Sequence, residues 1–421
     1  MTTAESLRNW AGNITFGATR VHRPTSVDEL RRIVAGSPRI RPLGTAHSFS
    51  RIADTTGELV AVTALPPTVD LDRERSTVTV AAGVRYGDVV VGLCDAGFSL
   101  PNLGSLPHIS IGGACQTGTH GSGDRNGNLA TAVSAIEMVT ATGDLVVIRR
   151  GEDPDFPGTV VALGALGVVT RLTLDLGPTF DICQYVYENL PREQLAVHFD
   201  QIFGAGYSVC LFTDWRGPVI NQVWLKRRAD APEDWTPDVP WLGATPAAGP
   251  LNPVPGMPAE NCTEQLGVPG PWHDRLPHFR LGFTPSAGDE LQSEFFVPRD
   301  RAVEALDAVY EIHDRIGPVV HTSEIRTIAA DDLWMSPHYG RDSVAIHFTW
   351  IGDPARVAPV LEAVQDRLAP FEVRPHWGKL STIPPEVLSG RYERLPDFRA
   401  LARKYDATGK FRNDTLDAYL G

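Results

Sequence analysis

The alternation of apolar and polar positions predicts many short elements in the first third of the chain. A helix is predicted after Ser26, because a capping serine is followed at helical spacing by Leu30, Ile33 and Val34. Further short elements are predicted as strands at 39–43, 78–82, 133–140, 145–148 and 168–172, a helix at 86–96 with Gly97 as its cap, and a helix end at 163–167. This mixture predicts an α+β fold.

From about residue 180 the strands alternate more clearly. In the segment 343–351, Ile346, Phe348 and Trp350 share one side, and His347 and Thr349 share the other. Amphipathic helices are predicted at about 299–315 and 354–368. The predicted strand at 343–351 therefore has an apolar side suited to a core and a side that bears hydrogen-bonding groups.

Two neighbouring segments repeat this arrangement. Gln292 and Glu294 lie on one side of a predicted strand, and Glu324 and Arg326 lie on one side of another. One interpretation is that these polar side chains form the solvent-exposed face of an ordinary sheet. The choice of Gln, Glu, Arg, His and Thr, which supply both donors and acceptors, favours a wall that binds a hydroxylated ligand.

A Pro- and Gly-rich stretch spans residues 231–277. It is predicted to be an ordered loop region rather than a linker, because it contains apolar anchors. These anchors are Trp235, Trp241, Leu251, Val254 and Trp272.

Composition limits the possible functions. A chain of 421 residues suits two domains, and its net charge of −13 argues against a nucleic-acid partner. No apolar run approaches the about 18 residues of a membrane span, and the N-terminal segment lacks the features of a signal peptide. We therefore expect no membrane partner and a cytoplasmic location.

The cysteines and histidines do not form a recognisable metal or disulfide framework. The odd number of scattered cysteines, without a CxxC, predicts reduced thiols. The 12 histidines show no ligand spacing in a supporting context, so no metal site is expected. The cysteines are Cys94, Cys115, Cys183, Cys210 and Cys262.

Two glycine-rich loops, at 42–50 and 102–124, are the strongest candidates for a ligand site. Small residues let the backbone approach a ligand, and successive N–H groups with Ser and Thr hydroxyls suit a pyrophosphate. Neither loop has the G-x-G-x-x-G context of a nicotinamide site, and a Walker A motif is absent. Ordinary turns are the alternative, although loops of this length are uncommon unless they are functional.

Several blocks of sequence carry a resemblance to a known family. They are G-T-A-H-S at 44–48, N-L-G-S-L-P-H-I-S at 102–110, T-G-T-H-G-S-G at 117–123, E-L-Q-S-E-F-F-V-P-R at 290–299, S-E-I-R-T at 323–327, I-H-F-T-W at 346–350, R-P-H-W-G-K at 374–379 and T-G-K-F-R-N-D at 408–414. Through them the chain resembles, nearly from end to end, the vanillyl-alcohol-oxidase type of FAD protein, and within it the bacterial alditol (xylitol) oxidases.

The resemblance implies an FAD-binding domain at 1–178, a substrate (cap) domain with an antiparallel sheet at 179–375, and a C-terminal segment at 376–421 that returns to the FAD domain. It implies a covalent bond between FAD and His47, for which a neutral imidazole is a competent nucleophile. The residues implied to hold FAD are Arg41, Pro42, Leu43, Gly44, Thr45, Ala46, His47, Ser48, Gly104, Ser105, Ser110, Gly113, Ala114, Cys115, Gln116, Thr117, Gly118, His120, Gly121, Val169, His376 and Lys379.

The resemblance also implies an activity, the oxidation of the terminal CH₂OH of an alditol by molecular oxygen to give the aldose and H₂O₂. Lys379 would take or polarise the hydroxyl proton, with Arg326 and His347 also catalytic, and Arg374 is the candidate cation that lowers the pKa of Lys379. The residues implied to line the substrate site are Ser105, Gln292, Glu324, Arg326, His347, Thr349 and Lys379.

Three points stay open from the sequence. A sugar-lactone oxidase or dehydrogenase of the same superfamily is the alternative function, and a flavin binder without catalysis is a second. The alditol oxidases carry alanine where this chain has Gly104, which leaves the rate with oxygen open. The preferred polyol is undetermined, and a monomer is expected.

Overall fold

Helices and strands alternate along the computed structural model, which describes residues 7–231, 236–237, 239–283 and 289–421. The α-helices are α1 Val27–Gly36, α2 Tyr86–Asp95, α3 Ile111–Gln116, α4 Phe156–Thr159, α5 Gln194–Phe203, α6 Trp272–Arg275, α7 Ala302–Tyr310, α8 His313–Ile316, α9 Pro354–Leu368, α10 Pro385–Ser389, α11 Leu395–Tyr405 and α12 Asp414–Leu420. The strands are β1 Arg20–His22, β2 Ile40–Leu43, β3 Glu58–Ala61, β4 Val69–Asp72, β5 Thr77–Ala81, β6 Phe98–Ser99, β7 Val133–Val139, β8 Leu145–Arg149, β9 Val168–Asp175, β10 Gly177–Pro178, β11 Asp181–Pro191, β12 Ser208–Thr213, β13 Val219–Arg228, β14 Thr245–Pro246, β15 Gly270–Pro271, β16 Glu290–Pro298, β17 Val320–Ile328, β18 Ser343–Ile351 and β19 Arg374–Pro375.

The predicted elements of the first third are present, with one exception. Ser26 caps α1, since its Oγ accepts the backbone N–H of Glu29 at 3.2 Å, and β7 and β8 form the predicted antiparallel hairpin. The helix end predicted at 163–167 is wrong, because the helix there ends at Thr159. Leu163 and Gly164 have φ angles of 57° and 66°, so consecutive left-handed residues turn the chain towards β9.

One prediction in the later part of the chain needs adjustment, and another agrees with the structure. The helix expected at about 299–315 is divided into α7 and α8, and its N-terminal residues form a 3₁₀ turn. The stretch 231–277 contains short strands and α6, as an ordered loop region should, and Trp272 is fully buried. Trp235 lies outside the described residues.

The larger sheets fall into two groups, one formed by strands before residue 180 and one formed by strands after it. In the N-terminal part, β1, β3 and β2 pair in parallel, and an antiparallel sheet has the order β4-β5-β9-β7-β8. After residue 180, a large antiparallel sheet has the order β14-β11-β13-β12-β17-β18-β16-β19, with β15 paired to β11. The architecture is the mixed α+β fold that the pattern predicts.

The large sheet has an apolar face covered by helices. Ile346, Phe348 and Trp350 of β18 are fully buried in a core that also contains Val309 of α7 and Val364 of α9. Because side chains alternate along a strand, the residues between them point to the opposite face. That opposite face forms one wall of a deep cavity.

The C-terminal segment packs against the N-terminal part of the molecule. Trp377, Phe398 and Leu401 share a core with Ile111, and Phe411 is buried with α1 and β2 in another core. This packing is consistent with the expected domain boundaries after residues 178 and 375. The boundaries themselves stay a prediction. Among the described residues, no helix combines the length and the apolar character needed to cross a bilayer.

Candidate active site

A continuous cavity runs from the two glycine-rich loops to the polar face of the large sheet. Most residues implied by the resemblance line it. On the loop side these are Arg41, Pro42, Leu43, Gly44, Thr45, Ala46, His47, Ser48, Gly104, Ser105, Ser110, Gly113, Ala114, Gln116, Thr117, His120, Val169 and His376. On the sheet side they are Gln292, Glu324, Arg326, His347, Thr349 and Lys379.

Three implied cofactor residues do not line the cavity. Cys115 is fully buried, with its thiol 3.7 Å from the hydroxyl of Tyr86. Gly118 adopts a φ of 67°, and a Cβ at Gly121 would lie 2.3 Å from the carbonyl oxygen of Leu103. These residues therefore shape the loop behind the cavity wall.

The two glycine-rich loops are joined by hydrogen bonds between their small side chains. The Thr45 hydroxyl accepts the backbone N–H of Ser110 at 3.1 Å, and the Ser110 hydroxyl lies 3.4 Å from the N–H of Thr45. A Cβ at Gly44 would lie 2.4 Å from the Ser110 hydroxyl oxygen. A larger residue at this position would therefore displace the Ser110 hydroxyl from its place between the loops.

Arg41 and Gln116 hold the turn at Leu163 and Gly164 against the cavity. The Arg41 guanidinium donates to the carbonyls of Leu163 and Gly164 at 2.9 and 3.0 Å, and also to those of Ile52 and Phe411. The side chain of Gln116 accepts the N–H of Gly164 at 3.0 Å. Both side chains are thus committed to backbone groups, and they support the wall of the cavity.

His47 presents an unusual imidazole to the cavity. Its ring stacks on Trp10 at a centroid distance of 5.5 Å and an interplanar angle of 14°. Burial, followed by the effect of His108, lowers the pKa of His47 to about 4, so that the ring is neutral at pH 7. Its buried Nδ1 has no hydrogen-bond partner among the described residues. A buried polar atom of this kind is rare and suits a bond to a bound group.

The polar wall comes from three adjacent strands in register. Across β16, β18 and β17, Gln292 pairs with Thr349, and His347 pairs with both Glu294 and Glu324. Arg326 follows two residues after Glu324, on the same side. Antiparallel pairing therefore collects donors and acceptors from well-separated segments on one surface.

Glu294 is the centre of this surface. Its carboxylate accepts hydrogen bonds from Arg326 at 2.5 Å and from Lys379 at 2.8 Å, and its oxygen lies 3.2 Å from Nε2 of His120. Burial alone would raise the pKa of Glu294, but Lys379, His120 and Arg326 together lower it well below its usual range. Glu294 is therefore an ionised, fully buried carboxylate.

Lys379 lies beside Glu294, and its side chain is 15% exposed. Its Nζ is 2.8 Å from Glu294 Oε2 and 2.9 Å from His347 Nδ1, and the other ring nitrogen of His347 lies 3.1 Å from the Thr349 hydroxyl. Burial lowers the pKa of Lys379, Arg326 contributes in the same direction, and Glu294 opposes them. A neutral amine would use its two N–H groups on Glu294 and His347, which leaves its lone pair free.

The cation near Lys379 is Arg326 and not Arg374. The Arg374 guanidinium donates instead to the carbonyls of Pro337, Tyr339 and Arg391 at 2.9–3.0 Å. It therefore anchors the chain just before the site. Sequence proximity to Lys379 was misleading, because residues five apart in an irregular segment need not point to the same place.

A second ionised carboxylate lies further along the wall. Glu324 accepts a hydrogen bond from His278 at 2.6 Å and is 3.6 Å from the Arg326 guanidinium. Burial alone would raise the pKa of Glu324, but Arg326 and His278 lower it well below its usual range. Arg326 also donates to the Ser105 hydroxyl at 3.2 Å, which connects the sheet with the second loop.

The position of Gly104 allows alanine. A Cβ there would meet its nearest neighbour, the carbonyl oxygen of His120, at 3.6 Å, which is ordinary van der Waals contact. Alanine, which the resembling alditol oxidases carry here, would therefore fit without a change in the backbone.

Three residues of the site are absent from the set that the resemblance implies, although strand alternation already places Glu294 on the polar side. Glu294 had a signal, because it lies two positions after Gln292 on the same face. Trp10 and His278 had none, because each belongs to an irregular segment where no periodicity relates a side chain to the cavity.

Comparisons with known proteins show which family the chain belongs to. The sequence model of the FAD binding domain family matches residues 18–149, and that of D-arabinono-1,4-lactone oxidase matches residues 289–419. Alditol oxidase from a Streptomyces species is 52% identical over 98% of both chains. L-gulono-1,4-lactone dehydrogenase from Mycobacterium tuberculosis is 27% identical over 98% of both chains.

Solved structures show the same architecture. Cholesterol oxidase from B. sterolicum has a TM-score of 0.79 at 16% identity, over 98% of this chain and 96% of that one. Xylooligosaccharide oxidase from Myceliophthora thermophila has a TM-score of 0.75 at 15% identity, over 98% and 94%. At these identities the likeness shows the shared fold alone.

The match to the FAD binding domain family and the identity with alditol oxidase show an FAD-dependent oxidoreductase. The chain belongs to the alditol oxidase family of the vanillyl-alcohol-oxidase flavoproteins, as its identity with the Streptomyces enzyme over nearly the whole length shows. Its lactone-oxidising relatives are more distant.

Proposed function

We propose that this protein oxidises the terminal CH₂OH of an alditol such as xylitol or sorbitol to the aldose, and reduces molecular oxygen to H₂O₂. The observation that carries the proposal is the polar wall, in which Lys379, Glu294 and Arg326 lie side by side in the cavity. In this reaction the alcohol loses a hydride from carbon and a proton from oxygen. The wall provides a proton acceptor for the second part.

The loop side of the cavity fits FAD. Its closely approaching backbones, its hydroxyls and the unpartnered nitrogen of His47 are suited to a dinucleotide with a reactive ring. FAD, when bound, supplies the acceptor for the hydride and transfers the electrons to oxygen. The protein contributes orientation, exclusion of water and the handling of the proton.

Lys379 is the residue that receives the proton. With its two N–H groups directed to Glu294 and His347, the neutral amine can accept from the C1 hydroxyl. The ammonium that results is stabilised by the Glu294 carboxylate at 2.8 Å. His347 holds the amine in place and is itself neutral, because burial and Lys379 lower its pKa to about 3.

Glu324, Arg326, Gln292 and Thr349 bind the remaining hydroxyls. Each hydroxyl of a polyol both donates and accepts, and this surface offers both kinds of partner. An analogue that lacks a hydroxyl would leave a buried group unpaired, at a cost of about 1–3 kcal/mol.

The choice of substrate tests the proposal directly. We expect xylitol and sorbitol to bleach the flavin without oxygen and to produce H₂O₂ in air, and we expect L-gulono-1,4-lactone to do neither. The lactone arm is required because lactone-oxidising relatives match the chain over its whole length. If only the lactone bleaches the flavin, the alditol assignment is wrong.

We also propose that FAD is joined covalently to His47. The stacked, neutral ring with its unpartnered Nδ1 supports this bond. We expect the flavin colour to stay with the acid-precipitated protein, and His47→Ala to release it into the supernatant. His108→Ala is the control, because His108 is the neighbouring histidine and its Nε2–H donates to the Leu281 carbonyl at 2.9 Å. Free flavin from the unchanged protein would contradict the covalent bond while leaving FAD binding intact.

A further inference from the structure

A buried lysine lies behind the substrate wall and takes no part in the proposed chemistry. Lys226 of β13 is fully buried, and it lies on the far side of His278 from the cavity. Its Nζ contacts the carbonyl oxygens of Leu276 and Pro277 at 2.6 and 3.1 Å and Nδ1 of His278 at 3.1 Å. A buried ammonium requires a structural or functional reason.

The number of acceptors identifies the protonation state of Lys226. Three acceptors surround its Nζ, which matches the three N–H groups of an ammonium. A neutral amine would have to accept from His278 Nδ1–H, and the bare Nε2 would then face the Glu324 carboxylate at 2.6 Å. Burial lowers the pKa of Lys226 only to about 8, so the ammonium persists at neutral pH.

The ammonium in turn determines the tautomer of His278. Burial, followed by the charge of Lys226, lowers the pKa of His278 to about 4, so its ring is neutral and carries one proton. Because Nδ1 accepts from Lys226, the proton lies on Nε2 and is donated to Glu324 Oε1. The ring itself is held edge-on between Phe212 and Trp224, at centroid distances of 5.4 and 5.3 Å.

We propose that Lys226 and His278 are positioning residues that fix the Glu324 carboxylate for recognition of the distal hydroxyls of the substrate. The chain of donors is directional, from Lys226 through His278 to Glu324. The Oε1 oxygen is thereby committed to His278, and Glu324, which lines the cavity, presents its oriented carboxylate to a substrate hydroxyl. This inference rests on the proposed function, in which Glu324 binds the polyol.

A metal site is the competing interpretation of the same cluster. Ligand atoms of Cys210, His278 and Glu324 lie within 4.8 Å of one another. However, the Lys226 ammonium already contacts Nδ1 of His278 at 3.1 Å, and the Arg326 guanidinium lies 3.6 Å from Glu324. A second cation would be repelled there, which favours the hydrogen-bonded chain.

The test compares two substrates in the FAD-loaded enzyme. Pentane-1,2-diol has the carbon chain of xylitol without its distal hydroxyls. We expect Lys226→Met to raise the KM for xylitol about 10-fold with a smaller change in kcat, and to leave kcat/KM for the diol nearly unchanged, because only the distal contacts are lost. Equal losses for both substrates would overturn the proposal.

Lys410→Met is the matched control. Lys410 is also largely buried, and its Nζ donates to three carbonyls, those of Val34, Ala35 and Ala141, away from the cavity. We expect the thermal midpoint to fall in both lysine variants, but the ratio of kcat/KM for xylitol over the diol to fall only in Lys226→Met. A fall in that ratio in both variants would indicate a general effect of losing a buried ammonium and contradict the positioning role.

Two further measurements follow the tautomer itself. His278→Gln keeps a donor for Glu324 and should retain a KM for xylitol within about threefold of the parent, whereas His278→Leu should behave as Lys226→Met.

In protein labelled with ¹⁵N-histidine, the NMR signal of His278 should report the Nε2–H tautomer and change in Lys226→Met. This readout needs no turnover, so its failure is distinct from failure of the proposed function. An Nδ1–H tautomer in the parent, or a stoichiometric metal lost on Cys210→Ala, would overturn the proposal.

Discussion

Replacing Lys379 with methionine should lower kcat for xylitol by about 10²- to 10⁴-fold, the range expected when a positioned proton acceptor is lost. Methionine preserves the length and apolar stem of the side chain but removes the amine beside Glu294 and His347. FAD content should be retained, and it is measured from the visible absorbance of the purified protein. Single-turnover bleaching of the flavin without oxygen measures the step itself.

Lys379→Arg separates proton transfer from simple charge. A guanidinium stays protonated at every accessible pH, so this variant should be about as inactive as Lys379→Met if the amine accepts the proton. Activity close to that of the parent in Lys379→Arg would show that a fixed positive charge is sufficient. The role of Lys379 as proton acceptor would then be wrong.

The pH dependence of kcat/KM is a second test of the role of Lys379 as proton acceptor. Since the neutral amine is the active form, kcat/KM should rise with pH through a pKa below the ordinary lysine value, because burial lowers that of Lys379. The Glu294 carboxylate stabilises the ammonium and so raises this pKa. Glu294→Gln removes the anion, and the rise should therefore move to lower pH, by about one unit. A shift to higher pH would contradict the ion pair between Glu294 and Lys379.

The polar wall could be predicted from the sequence because strand alternation is a local property. Once 290–298, 320–328 and 343–351 are strands, the faces of Gln292, Glu324 and His347 follow from a period of two. The pairing order that makes these three strands neighbours is not local. The resemblance implied only that these side chains line one site, and it is the register that places Glu294 and Glu324 on either side of His347.

The parts that could not be predicted belong to irregular backbone. His278 reaches Glu324 from a loop after α6, and its placement depends on the backbone N–H that it donates to the Ser105 carbonyl at 3.1 Å. Gly118 and Gly121 matched the loop motif, yet they turn the backbone behind the cavity wall. A motif specifies which residues occur in a loop, whereas packing determines which of them face the ligand.

Replacing Arg326 with methionine should have the largest effect on stability, a loss of about 3–5 kcal/mol in the free energy of unfolding. Arg326 is 4% exposed, and its guanidinium contacts both Glu294 and Glu324, at 2.5 and 3.6 Å. Without it, two buried carboxylates lose a shared cation, and desolvation of charge in the interior is costly. The midpoint of urea unfolding, followed by tryptophan fluorescence, measures the loss.

The pH dependence of the free energy of unfolding shows whether the two buried carboxylates cause the loss of stability in Arg326→Met. The pKa values of Glu294 and Glu324 lie well below their usual range in the folded protein, so their contribution is fully present above the unfolded pKa of about 4.3 and is lost as the pH falls. The difference between the parent and Arg326→Met should therefore shrink as the pH falls through the acidic range. A difference that grows on acidification would contradict the role of these carboxylates.

A double-mutant comparison isolates the pairing from the loss of packing. In a background that carries Glu294→Gln and Glu324→Gln, the guanidinium has no buried anion to compensate, and Arg326→Met should then cost much less than in the parent. The interaction energy should exceed about 2 kcal/mol, because all three groups belong to one hydrogen-bonded network. If Arg326→Met costs the same in both backgrounds, the side chain stabilises the wall by packing alone, and the electrostatic account of the polar wall has to be abandoned.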